Sequence, residues 1–246
     1  MPSSHKPLGR KAYGSIGHLP NSRLGPGDHR VPDGQAKICT EKPRDKHDTI
    51  IVQEKLDGAN VAVALIAGVL IPLGRAGHEA STSPFLHVQM FPGWVFANES
   101  RFRSLLQEGE WVVGEWLALA HGTRYDLNGR DPFVPFDIMH GESVRAPWEE
   151  TRRRCLNAGF AIPFTPFWSN GAVSIKDAMG GLGEYGRYGA VDRIEGAVWR
   201  VEREGKVDFL AKYVRPDKVD GLYFPEISGV DSVWNWQPME TARASQ

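Results

Sequence analysis

Residues 54–60 read EKLDGAN (Glu54-Lys55-Leu56-Asp57-Gly58-Ala59-Asn60) and stand between two apolar runs, TIIVQ at 49–53 and VAVALIAGVLIPL at 61–73. Both runs are short and rich in β-branched residues, so they read as strands and the heptapeptide as a charged turn between them. The same clash of charge with apolar strand recurs. Glu115 sits in EWVVGEWLAL (110–119), Glu195 opens EGAVWRVE (195–202), and Lys212 interrupts KVDFLAKYV (206–214). An acid or lysine in an apolar strand is costly to bury unless paired. One instance reads as an ion pair or an edge residue. Several together point to one shared polar site, with cations for phosphates and carboxylates for a divalent metal or ribose hydroxyls.

Further strand-like runs are VLIPLGR (69–75) and PFVPFDIM (132–139), with turns at Gly68 and Gly205. Helical patterns interrupt them at Phe85–Phe96, Glu99–Leu106, Pro147–Asn157 and Ser174–Met179. In the third, Pro147 is expected at the first helical position, and Arg152-Arg153-Arg154 as a solvated face. The glycine-rich GGLGEYGRYGA (180–190) lacks the Gly-Lys-Ser/Thr of a phosphate loop and is given no phosphate role. Strands with inserted helices, without regular alternation, predict an α+β fold of antiparallel sheets. A three-residue loop at Arg203-Glu204-Gly205 predicts Glu202 opposite Lys206 and Lys212 opposite Gly196, whose missing side chain leaves room for the lysine. Strict alternation then requires Glu195 at a strand end or bulge.

With 246 residues, 41% apolar and 24% charged, the chain can bury about three-quarters of its unfolded surface, which excludes wholesale disorder. The net charge of −1 is uneven: residues 1–46 carry nine Lys/Arg against four acids. This Gly/Pro-rich N-terminal arm, with one short element near Ile38, is compatible equally with phosphate contact and with a solvated end. Cys39 and Cys155 are too few for a disulfide framework or a zinc site. The N-terminus lacks an apolar signal region, and no run approaches the roughly 18 apolar residues of a span, so a cytoplasmic protein without membrane contact is expected. The domain reading is an arm at 1–46, a central domain at 47–216, and a short tail at 217–246 packing on the core through Trp234 and Trp236.

The order EKLDGAN, LGRAGHE, VVGEW, PFDIM, IEGAVWR, FLAKYVRP resembles the collinear motifs of the covalent nucleotidyltransferases, the superfamily of ATP-dependent RNA ligases, DNA ligases and mRNA capping enzymes. The RNA ligase branch of phage nick-sealing enzymes and their bacterial relatives is most similar. The resemblance covers residues 50–216, and YGSIGHLPNS (13–22) is similar to that branch's N-terminal segment. Lys-x-Asp-Gly alone is a weak signal; six motifs in order are strong.

The resemblance implies the nucleotidyltransferase (ATP-grasp-like) fold, and ATP and Mg2+ or Mn2+ as cofactors. It implies Lys55 as the nucleophile that forms lysyl-AMP, and a polynucleotide, RNA with a 5′-phosphate and a 3′-hydroxyl, as the substrate to be sealed. By the same resemblance Arg75 contacts phosphate or the acceptor strand, Glu115 the ribose hydroxyl, Phe136 stacks on adenine, and Glu195 holds the metal. Asn60 lies near the reactive phosphate, Glu54 beside the base, and Lys212 takes the first lysine of the family's Lys-x-Lys. A lysine amine attacks only when neutral, so Lys212 and the metal are expected to lower the Lys55 pKa, and Gly58 to let the backbone pass close to the nucleotide. Singly, Phe136 reads as core, Glu115 as an ion-paired strand acid, and Arg75 as a hairpin-edge residue.

Val214 replaces the second lysine of Lys-x-Lys, leaving Arg215 and Lys218 as the phosphate or acceptor candidates. Arg215-Pro216-Asp217-Lys218 spells a DNA ligase motif but follows Lys212 too closely, and is read as coincidence. Thirty residues follow Pro216, too few for the extra domain such ligases use, so a partner protein supplying it, or a minimal ligase using the basic arm, is expected. Two alternatives stay open: a nucleotidyltransferase using GTP, or acting on DNA or on ends without sealing, and a non-catalytic nucleotide- or RNA-binding module.

Overall fold

A computed structural model describes residues 5–238. Two five-stranded sheets face each other. The first has the order β1 (Gly17–His18), β10 (Lys206–Val214), β9 (Gly196–Arg203), β2 (Asp48–Lys55), β8 (Phe167–Ser169). The second runs β4 (Val69–Gly74), β3 (Ala59–Ile66), β5 (Trp111–Trp116), β6 (Phe133–His140), β7 (Val144–Arg145). All pairings are antiparallel except β1 with β10. The seven longer strands coincide with the seven apolar runs of the sequence. Their period of two divides each strand between a helix-covered face and a face turned toward the other sheet.

On the outer face of the first sheet, Ile50, Val52, Trp199 and Val201 pack with Ala36 and Cys39 of α1 (Asp33–Thr40) and Ala178 and Leu182 of α6 (Ile175–Leu182). The outer face of the second sheet is covered by α2 (Leu86–Gln89), α3 (Phe91–Ala97), α4 (Glu99–Leu105) and α5 (Trp148–Asn157). There Phe91, Trp94, Phe102, Phe133 and Phe160 form a continuous aromatic cluster. The helix expected over Phe85–Phe96 is broken at Met90 because Pro92 begins a second helix, where its missing N–H costs nothing. Pro147 caps α5 instead of entering it. Of its three arginines Arg154 is not a solvated residue: its side chain is 10% exposed and donates to Glu110, Glu150 and the Leu105 carbonyl.

The β9–β10 hairpin corrects the expected register. Glu204 (φ 50°) and Gly205 (φ 75°) are both left-handed, so the loop has two residues and pairs Arg203 with Lys206. Such a turn matches the strand twist. An irregularity between Val207 and Phe209 then absorbs Asp208, whose carboxylate accepts from Arg44 Nη2 at 2.6 Å. Lys212 consequently faces Val198, and Gly196 lies between Lys55 and Val214. A Cβ on Gly196 would sit 1.9 Å from the Tyr213 carbonyl oxygen, so the glycine admits a neighbouring backbone rather than the lysine side chain. Glu195 stands immediately ahead of β9.

Residues from both ends of the chain join this frame. β1 extends the first sheet, the Trp111 indole N–H donates to the Ala12 carbonyl at 2.9 Å, and Trp236 packs edge-on against Trp116 at 5.4 Å. Between the sheets, the fully buried Asp137 of β6 accepts from Arg200 of β9, from Tyr13 Oη at 2.5 Å and from Arg145 Nε at 3.3 Å.

Strand alternation also separates Glu54 from Lys55. The Glu54 carboxylate points to the outer face, where Oε2 accepts from the Arg187 N–H at 2.9 Å and Oε1 has no partner among the described residues. Burial pushes its pKa up to about 7.

Two stability predictions follow from these buried acids. The folded state keeps the Glu54 proton at pH values where the unfolded chain has already released it. Stability on this account falls as pH rises from the ordinary carboxyl value of 4.5 to about 7. Glu54→Gln is expected to raise stability by about 1–3 kcal/mol above pH 7 and to give no gain near pH 4, measured by urea unfolding across pH. Asp137→Ala strands Arg200 as an uncompensated buried charge and is expected to cost about 3–5 kcal/mol in the same measurement.

Candidate functional site

The two inner sheet faces enclose a cavity of about 320 Å³. From the first sheet it is lined by Gln53 and Lys55 of β2, Val198 and Arg200 of β9, Leu210 and Lys212 of β10, and Glu195. Asn60, Glu115 and Phe136 come from β3, β5 and β6, with Arg75 beyond β4. Thus Lys55, Asn60, Arg75, Glu115, Phe136, Glu195 and Lys212, scattered over more than 150 residues of sequence, line one space.

Lys55 ends β2, its side chain 21% exposed, and its Nζ donates to Glu195 Oε2 at 2.5 Å. Burial alone would lower its pKa, but Glu195 and then Glu115 outweigh that cost and hold the ammonium well above its ordinary value. The expected lowering is therefore absent from this arrangement, because carboxylates and not cations are its nearest charges. Burial also raises Glu195 against the pull of Lys55, and pushes Glu115 up to about 8. Lys212 is lowered, first by burial and then by the charge of Lys55. Its Nζ lies 3.4 Å from Asp28 Oδ1, and Asp28 Oδ2 lies 3.1 Å from Nε2 of the buried His18.

The turn itself is rigidly held. The Gly58 N–H donates to Glu115 Oε1 at 3.1 Å, and a Cβ on Gly58 would meet the Trp116 carbonyl oxygen at 2.5 Å. Its glycine thus answers the close passage of β5, a cause visible without any ligand. Asp57 accepts from the Gly122 N–H at 2.9 Å and from Lys218, whose side chain is almost wholly buried. Burial works against ionising Asp57, but the Lys218 charge and hydrogen bond hold it below its ordinary range. Lys218 is therefore engaged behind the Lys-x-Asp-Gly turn and does not line the cavity. Arg215 donates to the Ile194 carbonyl at 2.5 Å and to Asp217, and lines no part of it either. Glu54 contributes to the lining, but its carboxylate is on the far face.

Sequence reasoning missed Tyr13, Gly14 and Ile16, which also line the cavity. The signal was the segment 13–22, noted without assigning it a place. Tyr13 meets Phe136 edge-on, with ring centroids 5.4 Å apart, and Arg200 Nη2 donates to the Phe136 carbonyl at 3.2 Å. Together they fix the aromatic wall. Gln53 Nε2, Asn60 Oδ1, and Arg200 Nε and Nη1 are buried without hydrogen-bond partners among the described residues, all on lining residues. Buried polar atoms normally find partners, so these mark where a polar ligand fits.

No group of three or more acidic, His or Cys side chains among the described residues could hold a metal unaided. Glu195 and Glu115, both raised by burial and both close to Lys55, nevertheless offer carboxyl oxygens that suit a hard divalent cation taking its remaining oxygens from phosphates and water.

No curated protein sequence matches this chain. Among solved structures, a Naegleria gruberi RNA ligase point mutant with ATP and Mn is similar at 13% identity and a TM-score of 0.51, over 69% of this chain and 50% of that one. This likeness supports the two-sheet fold. An archaeal ATP-dependent RNA ligase is similar at 21% identity and a TM-score of 0.45, over 68% of this chain and 42% of that one. The chain thus spans half or less of the length of these two structures. The family model described as RNA ligase matches residues 48–214, from the first residue of β2 to the last of β10, and the chain belongs to the RNA ligase family.

Proposed function

We propose that the protein catalyses ATP-dependent nucleotidyl transfer through Lys55 and passes AMP to a polynucleotide for sealing. The carrying observation is the Lys55 amine, paired with Glu195, facing a cavity whose wall also holds Phe136, Glu115, Lys212, Arg75 and Arg200. Lys55 Nζ attacks the α-phosphorus of ATP, the bond to pyrophosphate breaks, and Nζ loses its proton as the phosphoramidate forms. Phe136 offers its face to adenine, Glu115 and Asn60 supply polar contacts, and Lys212 and Arg75 face the phosphates. With Val214 in place of a second lysine, positive charge on the phosphates rests on these two side chains.

Glu195 would hold a Mg2+ or Mn2+ ion, which when bound neutralises charge on the phosphates. Turning Glu195 away from Nζ removes the strongest pull holding the proton on Lys55, so ligand binding itself converts a resting ammonium into a nucleophile. The adenylylated enzyme then transfers AMP to a 5′-phosphate, most simply of RNA. A 3′-hydroxyl displaces AMP to form the phosphodiester.

Incubation with α-labelled ATP and Mg2+ is expected to label the protein, and Lys55→Ala to abolish labelling without loss of fold by circular dichroism. Labelled Lys55→Ala, or an unlabelled folded wild type across several metals, would falsify the assignment. Because the resting Lys55 pKa is raised, the neutral fraction grows about tenfold per pH unit below it. The single-turnover labelling rate is therefore expected to climb from pH 6 to pH 9. A rate that falls over that range contradicts amine attack.

A further inference from the structure

A second cavity, of about 340 Å³, lies at the edge of the first sheet and shares Pro163 with the first. Trp168, on the edge strand β8, is opposite Ile51 of β2, and Lys55 lies four residues further along β2. The period of two puts all three on one sheet face, with Lys55 about 13 Å along β2 from the Ile51–Trp168 pair.

The lining has a distinct chemistry. Trp168 is an exposed aromatic, with 44% of its surface open. The Arg187 guanidinium lies over the Phe164 ring at 4.8 Å, and Arg152 adds a second cation. Trp148 is completely buried, yet its indole Nε1 has no hydrogen-bond partner among the described residues. A buried indole N–H ordinarily finds an acceptor. No acid lines the cavity. A ligand that answers all of this is planar and aromatic, carries an anion, and offers a hydrogen-bond acceptor. A nucleobase on its phosphodiester has these properties, and both aromatic stacking and arginine contacts are standard for single strands.

We propose that this edge cavity binds one unpaired nucleotide of the polynucleotide substrate, its base against Trp168 and its phosphate on Arg187 and Arg152, while the strand end reaches Lys55. The inference rests on the polynucleotide reading above. ATP is not the occupant, because the Lys55 cavity has an aromatic wall of its own.

The test uses a fluorescein-labelled, 5′-phosphorylated single-stranded oligoribonucleotide, with binding read by anisotropy and Lys55 labelling by ATP measured in parallel. Trp168→Ala is expected to weaken binding about tenfold or more, and Trp168→Phe to keep most of it, because a ring restores stacking. Arg187→Ala is expected to reduce the slope of log Kd against log salt by about 0.7. All three variants are expected to label with ATP as the wild type does. The proposal is overturned if Trp168→Ala binds like wild type, if labelling falls in step with binding, or if an oligoglutamate peptide displaces the probe as well as unlabelled RNA does. Wild type that labels but binds no oligoribonucleotide also overturns it. Absence of Lys55 labelling with intact RNA binding would instead sink the nucleotidyl-transfer reading and leave the edge site standing.

Discussion

The buried carboxylate of Asp137 is the joint on which the site depends. It receives a guanidinium from the first sheet, a phenol from the N-terminal segment and a second guanidinium from the β7 strand of its own sheet. Two sheets that face each other across a ligand cavity cannot fill the space between them with apolar side chains, so some other interaction must set their separation. A charge pair of this kind contributes little net stability against a hydrophobic replacement, but it tolerates little displacement. It also lies next in sequence to Phe136, so the interaction that spaces the sheets also places the aromatic wall.

The cavity between them sets Lys55 against carboxyl groups and not against other cations. Lys55 meets two carboxylates with raised pKa values, and the nearest further lysines are each committed elsewhere, Lys212 toward Asp28 and Lys218 to Asp57. Glu195 is the strongest influence holding the Lys55 ammonium, so an occupant of the cavity that drew Glu195 away would release that hold.

Much of this was legible in the chain. Alternating apolar runs located the seven long strands, because a strand buried on both faces needs little beyond β-branched residues in sequence. The four acids and lysines that broke those runs were correctly read as one polar locus, since burial would otherwise be too costly. What escaped depended on local detail that periodicity does not encode. The two-residue turn and the bulge at Asp208 each shift the register by one residue, together moving Lys212 from Gly196 to Val198, and that bulge is stabilised by Arg44, far away in sequence. Glu54 is expected beside the base by resemblance; it does line the cavity, but its carboxylate lies on the face of β2 away from Lys55, because a strand sends adjacent side chains to opposite faces. Arg154 is expected on a solvated face and Lys218 among the phosphate or acceptor candidates, and both are buried by partners that only the tertiary fold supplies.

Lys218 has a consequence for the order in which this protein is made. It locks the Lys-x-Asp-Gly turn from a position 161 residues downstream of Asp57, so the turn gains this partner only after the strands between them have been made. A ribosome-bound chain that already displays Lys55 still lacks the ammonium that neutralises Asp57, as well as β9 with its Glu195 and β10 with its Lys212. Contacts of such long sequence separation form slowly, after the local hairpins. A chain synthesised only that far therefore holds Lys55 without its charge partners, and the electrostatics of the cavity arrive together with β9, β10 and Lys218.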